Sequence, residues 1–311
     1  MKLPSIRPFC RGILTLALAL CTVCGAARAQ TDWTELSPML TRRSAMSGAA
    51  LDGHIYAAGG LSESRIFEAF SVKSNVWQPL ALLPAGRHHY AAATFGGRIY
   101  LFGGGDQLYR PSVNTWSYDP QIDRWKAYTD IPEPRLGAAA VVLNDFIYVV
   151  GGTGPTASLL RFDPKRDEWS RLAALNERRE QIAAAALDGK IYAIGGRWKP
   201  EGTLASVEEY DPKTDRWLSA PPLRYPRSAH AAVTVKGKIY VMGGEVFEAG
   251  RTLNQVEVLA PGARTWVEGP ALPVSVRGIA AAVLDDQLYA FGGSERVGLT
   301  VNTGRMFRLN P

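Results

Sequence analysis

The chain has 311 residues and a formal net charge of +6, which first suggests a nucleic-acid or membrane partner. Its first 29 residues contain four basic residues and no acid, so the remainder carries only +2. All three cysteines (Cys10, Cys21 and Cys24) also lie in those 29 residues. For residues 30–311 we therefore expect no nucleic-acid partner, no disulfide, no thiolate metal site and no cysteine nucleophile.

The N-terminal segment has the three-part pattern of a secretory signal peptide. Basic residues precede an apolar stretch from Ile13 to Val23, which is followed by the small-residue end Ala27-Arg28-Ala29. The apolar stretch is too short to span a membrane as a helix. We expect cleavage after Ala29, a periplasmic or secreted protein, and no membrane span in the mature chain.

A short segment recurs six times along residues 30–311. Each copy contains Ile or Leu followed by Tyr and ends in a glycine pair. The pairs are Gly59-Gly60, Gly103-Gly104, Gly151-Gly152, Gly195-Gly196, Gly243-Gly244 and Gly292-Gly293. They begin 44, 48, 44, 48 and 49 residues apart, and such a period, with strand-like units, indicates a propeller or another repeat array.

Each unit can be divided into four predicted strands. In the fourth unit, Gln181 to Leu187 leads through the turn Asp188-Gly189 into a second strand, which ends at the glycine pair. A third strand runs from Val207 to Tyr210, and a turn of the form Asp-Pro-x-x-Asp connects it to a fourth strand that contains Trp217. The pattern predicts one all-β domain over residues 30–311, in which neighbouring units bury one another's apolar faces.

The sixth unit ends at its third strand, Met306 to Leu309, and has no tryptophan after Gly293. Residues 31–36 at the other end of the mature chain, which include Trp33, have the features of a missing fourth strand. We therefore predict a closed ring in which the N-terminal strand completes the last blade, because closure removes unpaired sheet edges.

These motifs resemble the Kelch repeat over residues 31–309. The glycine pair, the Tyr/Phe-Asp-Pro turn and the spaced tryptophan carry the resemblance, although units 1 and 5 lack the Asp-Pro turn. The resemblance implies a six-bladed β-propeller with four-stranded blades. Kelch propellers serve in protein binding, copper-radical oxidation and sugar mutarotation, so the fold leaves the function open. The copper-radical class needs a cysteine and is excluded for the mature chain.

Long, variable connections between the second and third strands predict a loop face that carries function. An arginine precedes the second-strand Tyr of every unit by 13 residues, or by 12 in the last. We call these the leading arginines: Arg43, Arg87, Arg135, Arg179, Arg227 and Arg277. A circle of arginine guanidinium groups at the channel mouth would bind carboxylate or phosphate groups. A structural role, in ion pairs with neighbouring blades, is the alternative.

Other candidate ligand-binding residues lie near this face. His89 and His230 follow leading arginines, and Tyr109 and Trp198 lie in long loops where they could stack on a sugar or a peptide. His88 and His89 are adjacent on a predicted strand and should point to opposite faces, which argues against a metal site. We therefore expect no metal. We also expect no cofactor, because the segment 152–157 fits a dinucleotide fingerprint but continues into a strand, whereas the fingerprint requires a helix.

The sequence therefore favours an exported, monomeric binding module whose partner is a protein, through an anionic peptide segment, or an acidic glycan. Replacing Arg87, Arg135 and Arg227 with Ala is expected to abolish capture and leave the fold intact. The alternative is a periplasmic sugar mutarotase similar to the Kelch-type sialic acid enzyme. There, Glu180 and a nearby histidine would exchange protons with the sugar while an arginine held its carboxylate.

Overall fold

The computed structural model describes residues 32–61, 65–298 and 301–311, together with Met1. Within these residues every regular element is a β-strand, and six antiparallel four-stranded sheets form the blades of a propeller. The predicted all-β, six-bladed architecture is confirmed. The signal peptide and the export that it implies remain predictions, because residues 2–31 lie outside the described part. No helix in the described part is long and apolar enough to cross a membrane.

The first strand along the chain, β1 (Trp33–Leu36), belongs to the last blade. Blades 1 to 3 are each built from four consecutive strands. Blade 1 contains β2 (Ser47–Leu51), β3 (His54–Ala58), β4 (Phe67–Ser71) and β5 (Val76–Pro79). Blade 2 contains β6 (Ala91–Phe95), β7 (Arg98–Phe102), β8 (Thr115–Asp119) and β9 (Arg124–Tyr128). Blade 3 contains β10 (Ala139–Leu143), β11 (Phe146–Val150), β12 (Ser158–Asp163) and β13 (Glu168–Ala174).

Blades 4 and 5 each carry an additional two-stranded hairpin between their second and third strands. Blade 4 contains β14 (Ala183–Leu187), β15 (Lys190–Ile194), the hairpin β16 (Arg197–Trp198) and β17 (Gly202–Thr203), β18 (Val207–Asp211) and β19 (Arg216–Ala220). Blade 5 contains β20 (Ala231–Val235), β21 (Lys238–Met242), the hairpin β22 (Glu245–Val246) and β23 (Arg251–Thr252), β24 (Val256–Leu259) and β25 (Val267–Gly269). Blade 6 contains β26 (Ala280–Leu284), β27 (Gln287–Phe291), β28 (Met306–Leu309) and β1.

The ring closes by pairing of the two ends of the chain. Strand β1 runs antiparallel to β28, with Trp33 opposite Leu309 and Leu36 opposite Met306. The N-terminal strand is therefore the outermost strand of blade 6, as the missing tryptophan of the last repeat predicted. The hydrophobic core has the same circular arrangement, since its clusters of buried side chains each join two neighbouring blades.

The repeated tryptophan joins each blade to the one before it. The Trp169 indole Nε1 donates a hydrogen bond of 3.0 Å to the Thr129 carbonyl oxygen, at the end of the preceding outermost strand. Asp167 accepts the N–H of the same residue at 2.8 Å. The same indole-to-carbonyl bond occurs at all six blade interfaces within the described part, from Trp33, Trp77, Trp125, Trp169, Trp217 and Trp266.

The tryptophan and an Asp or Asn side chain together form a clamp on one residue of the preceding blade. The Asp or Asn side chain is present where the clamped residue has an N–H to donate. Four clamped residues have an N–H and receive an Asp or Asn side chain, from Asn75, Asp123, Asp167 and Asp215. At the other two interfaces the clamped residues are Pro221 and Pro270, and proline has no N–H to donate. Blade 5 accordingly has Arg264 where the others have Asp or Asn. The aspartate that ends the Asp-Pro-x-x-Asp turn therefore also binds the neighbouring blade.

A second circle of hydrogen bonds surrounds the channel mouth. The N–H of Ala45 donates to Gly278 O, and that of His89 donates to Ala45 O, both at 2.8 Å. Gly137, Ile182, Ala229 and Gly278 continue the circle, each donating to the preceding blade over 2.6–3.4 Å. One residue of each blade adopts a positive φ at this level: Ala45, His89, Gly137, Gln181, Ala229 and Gly278. Four of these six are not glycine, although non-glycine residues are uncommon in that conformation.

We expect Asp167→Ala to lower the free energy of unfolding by about 0.5–1.5 kcal/mol, because it removes an exposed hydrogen bond to the Thr129 N–H that water replaces only in part. Asp167→Asn keeps an acceptor oxygen, as Asn75 does in blade 1, and should cost much less. Urea unfolding followed by tryptophan fluorescence measures both. Equal losses for the two variants would show that the hydrogen bond to the neighbouring blade does not stabilise the ring.

Candidate functional site

The innermost strands β2, β6, β10, β14, β20 and β26 surround a central channel. Its loop-face end is a cavity of about 370 Å³, and its opposite end is a cavity of about 350 Å³. Most of the lining residues are alanine, glycine, valine or threonine, and the two cavities share Ala93, Ala140 and Ala184 along the wall. Larger polar side chains are concentrated at the loop-face end, which we call the channel mouth.

Two sets of equivalent positions surround the mouth. The residue before each positive-φ residue pairs with the residue that follows the glycine pair of the same blade, as Glu180 does with Arg197 and Arg277 with Ser294. The first set is Ser44, His88, Leu136, Glu180, Ser228 and Arg277. The second set is Leu61, Gly105, Thr153, Arg197, Glu245 and Ser294. Functional side chains at these positions come mainly from blades 2, 4, 5 and 6.

Most of the leading arginines do not form the accessible ring that the sequence predicts. Arg43, Arg135, Arg179 and Arg227 are at most 1% exposed, and Arg277 is 7% exposed. Each of these five forms an ion pair with a glutamate. The alternative of structural ion pairs describes them better, although most partners lie in the same blade rather than in a neighbouring one. Arg87 is half-buried and differs from the rest.

The recurring ion pair has a fixed geometry. The Arg227 Nη2 lies 2.7 Å from Glu257 Oε2, and both side chains are 0% exposed. Its Nη1 donates to the carbonyl oxygens of Gly243 and Gln255 at 2.8 and 2.9 Å. Burial lowers the pKa of Arg227, and the Glu257 carboxylate opposes that shift. Arg43–Glu68 and Arg179–Glu208 repeat this arrangement at 3.3 and 3.1 Å.

Blades 3 and 6 replace the third-strand glutamate in different ways. Leu160 occupies the equivalent position of blade 3, and Arg135 pairs instead with Glu133 from its own loop at 3.3 Å. In blade 6, Val276 replaces the leading arginine and Phe307 replaces the glutamate, so the ion pair becomes an apolar contact. Arg277 therefore lies one residue after the position of the other leading arginines, nearer the mouth. This explains why it precedes Tyr289 by 12 residues and not by 13.

The two adjacent histidines of blade 2 point towards each other. His88 Nδ1 lies 2.7 Å from His89 Nδ1, and their ring centroids are 4.8 Å apart. The prediction that they face opposite sides is wrong, because the positive φ of His89 interrupts the alternation of a strand. Burial lowers the pKa of both, and for His89 the neighbouring His88, Arg277 and Arg197 lower it further.

His230 lies at the wall of the loop-face cavity and packs between blades, with little of its side chain exposed. It is 6% exposed, and its imidazole lies against Gly195 of blade 4. The equivalent positions of other blades carry apolar residues such as Ile182 and Met46. Burial lowers the pKa of His230 to about 3, and Arg227 contributes to the shift. The described residues contain no group of three or more His, Cys, Asp or Glu that could hold a metal ion.

The candidate aromatic residues lie on the loops that surround the mouth. Tyr109 is 54% exposed and its ring lies 4.6 Å from His88. Trp198 is half-buried below the Arg178 guanidinium, at 5.6 Å. Phe247, in the hairpin of blade 5, is 46% exposed, and its ring centroid lies 4.6 Å from the Arg197 guanidinium carbon.

Sequence reasoning overlooked Arg197, Gln181 and Glu245 as mouth residues. Arg197 Nε lies 3.2 Å from Glu180 Oε1, and both side chains are partly exposed. Arg277 lies 3.6 Å from Glu245, whose pKa is raised by burial and held down by Arg277 and Arg197. A usable signal was present, because Arg197 and Glu245 directly follow a glycine pair.

The chain belongs to the Kelch-repeat family. Residues 27–196 match the family model of the KLHDC2/KLHL20/DRC7 Kelch-repeats domain, and residues 178–224 and 226–273 match the Kelch motif. Kelch propellers typically act in protein interactions.

Several curated proteins share part of this sequence. The chain is 31% identical over 105 residues to Beta-scruin of Limulus polyphemus, covering 34% of this chain and 12% of that protein. It is 33% identical over 112 residues to Kelch-like protein 33 of Homo sapiens, covering 35% and 21%. The matches therefore span about a fifth or less of these relatives. A solved structure described as "Structure of YjhT" has a TM-score of 0.76 at 17% identity, covers 87% of this chain and 95% of that one, and shows the fold alone.

Because Arg227 is a buried ion-pair partner, we expect Arg227→Ala to lower the free energy of unfolding by about 3–5 kcal/mol. The double variant Arg227→Val with Glu257→Phe copies blade 6 and should be more stable than the single variant. Urea unfolding measures both, with the exposed Arg216→Ala as control. A double variant no more stable than Arg227→Ala would contradict this account.

The triple alanine variant at Arg87, Arg135 and Arg227 is therefore expected to lose stability as well as any binding.

His230 should make the protein less stable in acid. The folded state keeps this imidazole neutral down to about pH 3, whereas an unfolded chain protonates it below a pKa of about 6.5. Each pH unit below 6.5 then favours unfolding by about 1.4 kcal/mol. Between pH 7.5 and 5.0, His230→Ile should lose about 2 kcal/mol less stability than the wild type in urea unfolding. A parallel loss in both proteins would contradict the assignment.

Proposed function

We propose that this propeller is a binding protein whose loop face captures an anionic partner, either an acidic peptide segment or an acidic glycan, at the channel mouth. The observation that carries the proposal is the placement of Arg197, whose side chain is partly exposed at the mouth beside Glu180. Arg277 is buried against Glu245 and adds positive charge to the same region, since both arginines act to lower the pKa of His89 and of Glu245. Guanidinium groups are suited to bidentate binding of carboxylate and phosphate.

The surroundings of Arg197 favour recognition over a purely structural role. Its side chain is 25% exposed, whereas the leading arginines of the same and the next blade are completely buried. It lies over the exposed ring of Phe247, which leaves an aromatic surface beside the charge. A charged group next to an aromatic ring fits an acidic ligand that also has an apolar or sugar face.

The mouth also has a rigid base, which supports binding with little reorganisation. Gln181 and His89 are held in the backbone circle that surrounds the channel, and the paired hairpins of blades 4 and 5 stand beside them. These hairpins are joined, since Thr203 Oγ1 donates to Glu248 Oε2 at 2.6 Å and accepts the Phe247 N–H at 3.1 Å. A preorganised site loses less conformational entropy when it binds.

Sugar mutarotation is the second candidate, and the position of Glu180 favours it. This carboxylate is 18% exposed at the mouth, beside Arg197, and burial together with the same arginine lowers the pKa of His89. A carboxylate and an imidazole can act as acid and base on a sugar held by an arginine. An NMR measurement of anomer exchange separates the candidates, because a binding protein leaves the exchange rate at its buffer value.

Arg197→Ala should weaken capture of acidic peptides and glycans on an array by roughly ten- to a hundredfold, because it removes charge-assisted hydrogen bonds. Arg216→Ala is the matched control, since it removes the same charge from an exposed arginine at the start of β19. Control and wild type should bind alike. Undiminished capture by folded Arg197→Ala protein would exclude the mouth as the binding site.

A further inference from the structure

Arg87 differs from the other leading arginines in its surroundings. It is half-buried, and within the described part of the chain it forms no ion pair. Its Nη1 donates to the Gly86 carbonyl oxygen at 2.8 Å, while its Nε is buried and has no hydrogen-bond partner among the described residues. The other five leading arginines all have a glutamate within 3.6 Å.

The register of blade 2 explains the difference. Trp116 lies opposite Leu101, in the position that Glu68, Glu208 and Glu257 occupy in blades 1, 4 and 5. Blade 3 also lacks the third-strand glutamate but supplies Glu133, two residues before its arginine. Blade 2 has Ala85 at that second position. Both internal sources of a carboxylate are therefore absent for Arg87.

The remaining blades show what this arginine is suited to bind. In blades 1, 3, 4 and 5 the same backbone position holds a guanidinium 2.7–3.3 Å from a carboxylate oxygen. A partly buried cation without a counter-charge is costly, and an external carboxylate would pair with its Nη2, the atom that binds the glutamate in those blades. In those blades the acceptor is a glutamate side chain, so an aspartate or glutamate side chain of a polypeptide reproduces the pair more closely than a glycan does.

We propose that Arg87 binds an aspartate or glutamate side chain of an acidic polypeptide partner, which takes the place of the glutamate missing from blade 2. This inference rests on the proposed function, since it assigns a second anchor for an anionic partner on the same face. It adds a specific chemistry, because the partner carboxylate reproduces an ion pair that the protein contains in its other blades.

The test uses a fluorescein-labelled hexaglutamate peptide, whose binding is followed by fluorescence anisotropy at low ionic strength. Ala85→Glu places a carboxylate two residues before Arg87, as Glu133 and Glu177 are placed before their arginines. This internal carboxylate should weaken peptide binding at least tenfold, as should Arg87→Ala. Ala85→Gln has nearly the same size without the charge and should bind like the wild type. Thermal unfolding verifies that each variant is folded.

Equal binding by Ala85→Glu and Ala85→Gln would overturn the inference, and so would unchanged binding by Arg87→Ala. Failure of the wild type to bind the peptide, or binding of oligouronate glycans alone, would overturn it as well. The proposed function is judged separately, by the effect of Arg197→Ala on the array. Loss of capture there, with Arg87→Ala unaffected, would retain the binding function and reject this second anchor.

Discussion

The structure depends on each blade being held by its neighbours. A blade of four short strands has two apolar faces, and the buried clusters show that each face is covered by the next blade. Two circles of hydrogen bonds reinforce this packing, one at the channel mouth and one at the tryptophan clamps near the rim. Because the circles include the contact between blades 6 and 1, the pairing of β1 with β28 completes an arrangement that no open array could form.

The same constraint explains why the chain repeats its motifs. The first glycine of each pair lies where an added Cβ would meet the backbone of the next blade, only 2.3 Å from Arg87 O in the case of Gly59. The aspartate and tryptophan of the last turn bind the N–H and the C=O of one residue of the preceding blade. Most of the leading arginines hold their own blade together through a glutamate and two carbonyl groups. These features maintain the ring, so function has to be sought where the repeats differ.

Those differences lie on one face. Blade 2 has a pair of contacting histidines and an arginine that forms no ion pair with the described residues, and blades 4 and 5 add hairpins that contain Trp198 and Phe247. Arg197, Glu245 and Arg277 occupy mouth positions where other blades have Leu61, Gly105 or Ser44. A symmetric scaffold therefore supports an asymmetric arrangement of charge and aromatic surface. Such an arrangement is suited to a ligand with one defined orientation on the mouth.

The sequence by itself determined the class of fold, the number of blades and the closure by Trp33, because glycine pairs, turns and tryptophans at regular spacing report local geometry and repeat length. Only the tertiary structure decided which charges are accessible. Arg227 and Arg87 occupy the same place in their repeats. Their difference depends on Glu257, which is distant from Arg227 in sequence and 2.7 Å away in space, and on Trp116, which takes the equivalent strand position in blade 2. Burial and ion pairing are properties of such contacts, so periodicity located the arginines but could not assign their roles.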